Sequence, residues 1–270
     1  PSRSQIWPKL RAVKEVCAVR KNLFTILIGC MFLFLSSSSE LWARTPIILI
    51  DPGHGGDDCG AKSYIKVRQR EVCEKELALE IAVKINNLLK KHFQSYLTRT
   101  LDRTISLDER AQMADKVAAD FFISIHLNAH ENLQAKGLEV YYLDNHNNIA
   151  VHKIERVENK DLKGEIVVIN QILADLVIER TAPISKGLAQ SIHKGLVSSV
   201  KRAFSQSDRG PKAALFYVLA LSKRPSVLLE AGFMSHAEER ELMANTHFQQ
   251  KFAEGVANGI ISFVKKNYKR

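Results

Sequence analysis

"IILIDPGHGGDDCG", residues 47–60, decides the fold. Four apolar residues, Ile47 to Ile50, run into Asp51 and Pro52 and then into His54, a histidine set among glycines. A short apolar run closed by turn residues reads as a buried strand. The glycines let the chain turn sharply off the strand and let its backbone approach a ligand closely. In open α/β sheets, ligands gather beyond the carboxyl ends of the strands. This one stretch therefore predicts a covered sheet and a functional site at the strand exit.

Working outward, "SYLTRT" (95–100), "DFFISIHLNA" (120–129), "GLEVYYL" (137–143), "AALFYVL" (213–219) and "PSVLLEAGF" (225–233) read as further strands. Residues 74–92 place Leu77, Ile81, Ile85, Leu88 and Leu89 at helical spacing. Residues 106–118 form a helix opened by a capping box, Ser106 with Glu109. A helix capped by Ser185 follows at 185–204, and two more close the chain at 236–244 and 246–268. Strands that alternate with helices predict an α/β fold. The expected architecture is a twisted, mostly parallel central sheet with helices on both faces, a single catalytic domain over 44–270. Residues 144–183 break the rhythm. They are polar and charged at first, then carry an amphipathic helix over 165–178. A connection that long is usually functional or disordered.

The chain has 270 residues, of which 46% are hydrophobic, enough for one large core. Residues 1–43 read as a secretory signal with an N-terminal extension: "RK" (20–21), then "NLFTILIGCMFLFL", then "SSSSELWA". Cleavage is expected after Ala43. The apolar run falls short of the roughly 20 residues of a membrane span, so no stable membrane anchor remains and the periplasm is the expected compartment. Six of the 39 basic and two of the 29 acidic residues lie in 1–43, so the net charge of +10 drops to +6. A basic surface suits an anionic polymer. Cys59 and Cys73 remain. In an oxidising compartment they form a disulfide or stay as two free thiols, and neither ligates zinc.

Three reactive side chains stand at strand ends: His54, His126 in "SIHLNA", and Glu230 in "VLLEAGF". Glu74 precedes Leu77, Ala78 and Ile81 on the core-facing stripe of its helix, where a carboxylate needs a partner. Two histidines and a carboxylate make a catalytic zinc set with one position left open. Glu230, directly after an apolar strand, is then the general base toward water. Three S-x-x-K matches also occur, at Ser63, Ser191 and Ser198, with no K-T-G partner. They raise a second, penicillin-sensitive activity as a separate reading.

Together "IDPGHGG", "EK" (74–75), "SIHLNA" and "LLEAGFMS" resemble the zinc-dependent N-acetylmuramoyl-L-alanine amidases of bacterial cell division, over about residues 46–268. The resemblance implies Zn2+ held by His54, Glu74 and His126, with Glu230 catalytic. It implies hydrolysis of the amide between N-acetylmuramic acid and L-alanine in peptidoglycan, in wall remodelling and septum splitting, with no nucleic acid as partner. The stretch "SYIKVRQREVCEK" departs from the Gly-rich approach to "EK" in that family. Division amidases carry a helical insert that covers the zinc until an activator displaces it. By that resemblance 144–183 is autoinhibitory, Glu158 is the covering carboxylate with Glu155 next, and the 165–178 helix docks an activator. Deleting 150–180 would then raise activity. The alternatives are a peptidoglycan-binding module with a dead site and a carboxypeptidase acting on stem peptides.

Overall fold

The apolar run 47–50 is the second strand in from one edge of a six-stranded sheet. The computed structural model describes residues 44–146, 148–159, 165–201 and 203–268; the leader expected at 1–43 lies outside the described residues. In chain order, β1 (Ile47–Pro52) is followed by a hairpin of β2 (Lys62–Ile65) and β3 (Arg70–Cys73), then α1 (Glu74–Leu89) and β4 (Gln94–Leu97). Next come α2 (Leu107–Lys116), β5 (Phe121–Asn128), β6 (Leu138–Leu143), α3 (Ile149–Glu158) and α4 (Glu165–Leu196). The chain ends with β7 (Asp208–Ala214), α5 (Tyr217–Leu221), β8 (Ser226–Phe233), α6 (Ala237–Met243) and α7 (Thr246–Asn267).

The sheet order is β4-β1-β5-β8-β6-β7. Every neighbouring pair is parallel except β6 with β8. The central strands β5 and β8 are buried along their whole length, as expected where helices cover both faces. Ile48 and Ile50 pack on one side with Leu77, Ile81, Ile192, Phe252 and Ile260. Leu49 and Phe122 pack on the other with Tyr141, Val177, Phe216 and Leu219. Each such fully buried aliphatic side chain stabilises the fold by about 1.5–3 kcal/mol. The capping box opens α2 as the sequence reading expected: Ser106 Oγ accepts from the Glu109 amide at 3.2 Å and Glu109 accepts from the Ser106 amide at 2.8 Å.

Two local expectations are corrected. The run 213–219 is not a strand; β7 ends at Ala214 and Tyr217–Leu221 is helical and buried. A short apolar run reads the same in a buried strand and a buried helix, so its pattern did not separate them. Ser185 does not cap a helix. It lies inside α4, which runs through Pro183 without a break, and its hydroxyl accepts from the Ser226 amide at 3.0 Å. The stripe that holds α4 together is continuous: Ala174, Val177, Ile178 and Ala182, then Leu188, Ala189, Ile192 and Leu196 are buried. The first half of that stripe belongs to the segment 144–183, so this segment shares a helix with the rest of the domain. Among the described residues, no helix is long and apolar enough to cross a membrane.

Candidate active site

The sequence brings three elements to one point. His54 leaves the end of β1, Glu74 is the first residue of α1, and His126 lies near the end of β5. One ligand atom from each lies within 4.8 Å of the others, and all three residues are buried. His54 Nε2 is 3.2 Å and His126 Nδ1 is 3.1 Å from the same Glu74 Oε1. That oxygen also accepts from the Leu127 amide at 2.9 Å, while Oε2 accepts from the Ala61 amide at 2.9 Å. Two glycines make room. A Cβ on Gly53 would sit 2.4 Å from the His126 ring, and one on Gly60 would sit 2.6 Å from Glu74 Oε2 and from the His54 ring. Gly60 is also left-handed at φ +66°.

His54 itself holds a left-handed φ of 57°, a conformation that costs a non-glycine residue of order 1–3 kcal/mol. Buried arginines hold the turn in place. Arg110 donates to the Pro52 carbonyl at 3.0 Å and the His54 carbonyl at 2.9 Å; Arg99 donates to Pro52, Gly53 and Lys75 carbonyls at 3.1, 2.8 and 2.8 Å. Asp51 balances Arg110 at 2.5 Å and accepts from Thr98 and Ser124. Asp58 Oδ2 lies 2.7 Å from His54 Nδ1 and fixes the ring so that Nε2 faces Glu74. The sequence reading missed Asp58, Asp51, Arg99 and Arg110. Asp58 had a local signal, four residues past His54 in the same loop. The arginines had none, because each reaches this turn from a separate element.

The electrostatics of the cluster favour a cation. Burial pushes the His54 imidazole down, but Glu74 and Asp58 outweigh it and push it up to about 11. Burial pushes the Glu74 carboxyl up, and His54 and His126 outweigh it and hold it well below the usual range. His54 Nε2 is nevertheless buried without an aligned hydrogen-bond partner. Two imidazole nitrogens and one carboxylate oxygen, converging in a buried pocket, are a donor set that fits zinc.

Glu230 stands in register with His126 on the neighbouring strand and with Glu139 on the other side. It is buried, and its Oε2 has no hydrogen-bond partner. Burial raises its carboxyl well above the usual value, and Glu74, Glu158 and Glu139 add to that. Glu139 differs. Lys212 at 2.5 Å and Arg209 at 2.6 Å outweigh its burial and hold it low.

Glu158, the last residue of α3, reaches the cluster from the inserted segment. Its Oε2 is 3.2 Å from His126 Nδ1 and 3.8 Å from His54 Nε2. Glu155 does not reach it and turns instead to His146, His152 and the Leu215 amide. A cavity of about 500 Å3 opens beside the cluster, lined by His54, Glu74, Asn128, His130 and, from α3, Ile154 and Glu158. Cys59 and Cys73 are joined in a disulfide that closes the loop carrying β2 and β3. The Ser63 and Ser191 hydroxyls donate to the Met234 and Gly259 carbonyls, and Ser198 lines a surface groove between α4 and α7.

Residues 48–262 match the model of a family described as N-acetylmuramoyl-L-alanine amidase. The N-acetylmuramoyl-L-alanine amidase AmiA of Salmonella typhimurium is 33% identical over 227 residues, 80% of this chain and 75% of that protein. A crystal structure of an N-acetylmuramoyl-L-alanine amidase from Clostridium difficile is 32% identical, with a TM-score of 0.63 over 83% of this chain and 100% of that one. AmiC2 of Nostoc punctiforme is 28% identical, with a TM-score of 0.59 over 82% of this chain and 97% of that one.

Proposed function

The chain belongs to the N-acetylmuramoyl-L-alanine amidase family, and from that premise we propose that its peptidoglycan amidase activity is zinc-dependent and serves septum splitting at division. The observation that carries the metal assignment is the convergence of His54, Glu74 and His126, with ligand atoms within 4.8 Å of one another in a buried pocket. His54 would hold the ion through Nε2, His126 through Nδ1 and Glu74 through Oε1. Bound there, zinc supplies Lewis acidity, polarising the scissile carbonyl and easing deprotonation of water.

The protein's own residues do the rest. Asp58 fixes the tautomer and ring orientation of His54, the usual role of a carboxylate behind a ligating histidine. Glu230 takes the proton of the attacking water on its carboxylate and returns it to the nitrogen of L-alanine as the amide breaks. A carboxyl kept basic by burial and by three neighbouring carboxylates suits both halves of that transfer.

Glu158 supports a reading of autoinhibition. Its carboxylate lies 3.2 Å from His126 Nδ1, where it competes with water and substrate for the open position. Ile172 and Leu176 on α4 are exposed at 60% and 58% and belong to the apolar stripe offered to an activator. The domain, on this reading, spans 44–270 after a cleaved leader at 1–43. Export to the periplasm fits a wall substrate and a disulfide, which persists in oxidising compartments.

The test is hydrolysis of purified sacculi, reading release of stem peptides with a free L-alanine amine. Chelation abolishes release and added zinc restores it. His54→Ala and His126→Ala lose bound metal. Chelator-resistant hydrolysis would defeat the metal assignment.

A further inference from the structure

Helix α3 ends at Glu158, and a second group of ligating side chains sits one to two turns before that end and in the stretch that leads into the helix. His146 precedes the helix, and His152 and Glu155 lie one turn apart on it. The two imidazoles share one carboxylate: His146 Nε2 is 2.6 Å from Glu155 Oε1, and His152 Nδ1 is 2.9 Å from Oε2. The rings lie 4.5 Å apart with a tilt of 32°. One ligand atom from each of the three residues falls within 4.8 Å of the others. The side chains of His146 and Glu155 are 9% and 8% exposed, whereas His152 is 51% exposed. The group is therefore anchored on one side and open to water on the other.

We propose that His146, His152 and Glu155 bind a divalent transition-metal ion of the zinc class, distinct from the catalytic ion, and that this ion fastens α3 in its closed position. Two imidazoles and one carboxylate select zinc, nickel or copper over magnesium or calcium, and the open side leaves space for water as a further ligand. The carboxylate is ready for the role. Burial pushes it up, but the Leu215 amide and the two imidazoles hold it below the ordinary carboxylate range. Protons balance without net release from neutral rings, since each ring keeps one and moves it to its far nitrogen. His152 carries it on Nε2. His146 carries it on Nδ1, which now accepts from the Asn148 amide at 2.9 Å. That amide lies in an exposed loop and turns to solvent when the ion binds.

The same end of the structure already ties α3 down. Glu155 accepts from the Leu215 amide, and Asn159, the residue after Glu158, donates to the Leu215 carbonyl at 3.0 Å and accepts from the Tyr217 amide at 3.0 Å. A bound ion adds a link between His146 and the helix, so Glu158 leaves the catalytic cluster less readily. This regulatory half rests on the reading of Glu158 as an autoinhibitory residue; the metal site itself does not.

The test is a titration of the metal-free full-length protein with Zn2+ and with Co2+, reading bound ions per chain by calorimetry and by elemental analysis after gel filtration. The expected stoichiometry is two for the parent, one for His152→Ala and one for His54→Ala. His146→Gln provides a second route to the same loss, and melting curves check that each variant folds. A parent that binds one ion, kept in His152→Ala and lost in His54→Ala, overturns the second site. A parent that binds one ion, lost in His152→Ala and kept in His54→Ala, upholds this site and instead removes the catalytic assignment. For the regulatory half, the second equivalent slows sacculus hydrolysis several-fold in the parent and leaves His152→Ala unaffected. An equal response in both proteins overturns it.

Discussion

At the scale of single residues, the candidate site separates groups that hold from groups that react. On the proposed reading Glu230 is a proton carrier and not a ligand, so its amide should keep the metal and lose the rate. We expect Glu230→Gln to retain one catalytic zinc and the parent melting temperature while kcat falls by about 10²–10⁴-fold, the usual weight of a general acid–base group. Zinc-free Glu230→Gln protein would show that the residue is a ligand. Asp58 acts one bond further out, through His54 Nδ1 at 2.7 Å. Loss of such a partner commonly weakens metal binding by about 10–100-fold. Asp58→Ala should show that loss in a competition titration with a chelator of known affinity, and an unchanged affinity would remove Asp58 from the site.

At the scale of elements, the inserted segment divides into two parts with different duties. Helix α3 carries Glu158 to the cluster, whereas α4 is also core, with Ala174, Val177 and Ile178 packed beside Tyr141 and Phe216. Deleting 150–180, the change suggested by the sequence, would therefore unroof the core as well as uncover the site. The cleaner change is Glu158→Ala. Its side chain is only 14% exposed and burial raises its carboxyl, so removing it relieves the cost of a buried acid while leaving the core stripe of α4 in place. We expect hydrolysis of sacculi by Glu158→Ala to rise several-fold without activator; a rate equal to the parent would make α3 scaffold. The hairpin β2–β3 gives a second element-scale expectation. The disulfide Cys59–Cys73 spans a sequence separation of 14. Closing a loop of this size stabilises by about 3 kcal/mol in the chain-entropy account. A Cys59→Ser/Cys73→Ser protein should melt at lower temperature and still bind its catalytic zinc, measured by calorimetry and metal analysis; loss of zinc would make the cysteines ligands.

At the scale of the whole molecule, the sheet is joined across its antiparallel seam by a buried charge. Glu139 on β6 bonds Asn128 on β5 at 2.9 Å and pairs with Arg209 and Lys212 on β7. Its folded carboxyl lies below its ordinary 4.5 despite burial. In the unfolded chain it takes up a proton near 4.5, whereas in the folded chain it does so only at lower pH. Between those values the unfolded state binds more protons, so stability falls as pH falls. The contribution is complete above pH 4.5 and is lost as pH drops through the folded value. Melting curves of the parent should slope downward below pH 4.5. Glu139→Gln should be less stable at neutral pH and show a flatter acid limb; an identical limb would exclude Glu139 as a source of the acid response.

What the sequence by itself determined is what local patterns encode. The apolar run 47–50 required a buried strand, and the glycines after it required a turn that admits a close neighbour. His54, His126 and Glu230 were legible because each follows an apolar run, although the structure carries β5 two residues past His126 and β8 three residues past Glu230. Glu74 was legible because its helix has one apolar stripe and the carboxylate lies on it. Tertiary structure alone decided the rest, because the deciding contacts join distant parts of the chain. It made 217–221 a helix, since a buried run of five apolar residues satisfies either geometry. It ran α4 through Pro183 and Ser185, since the core covers that stripe continuously and the Ser226 amide bonds the serine. It turned Glu158 toward the catalytic cluster and Glu155 toward His146 and the Leu215 amide, a choice between two glutamates one turn apart that follows from where His126 and Leu215 lie, 32 and 60 residues away along the chain. It also set His146 and His152 on one carboxylate, an arrangement that a nine-residue spacing does not announce.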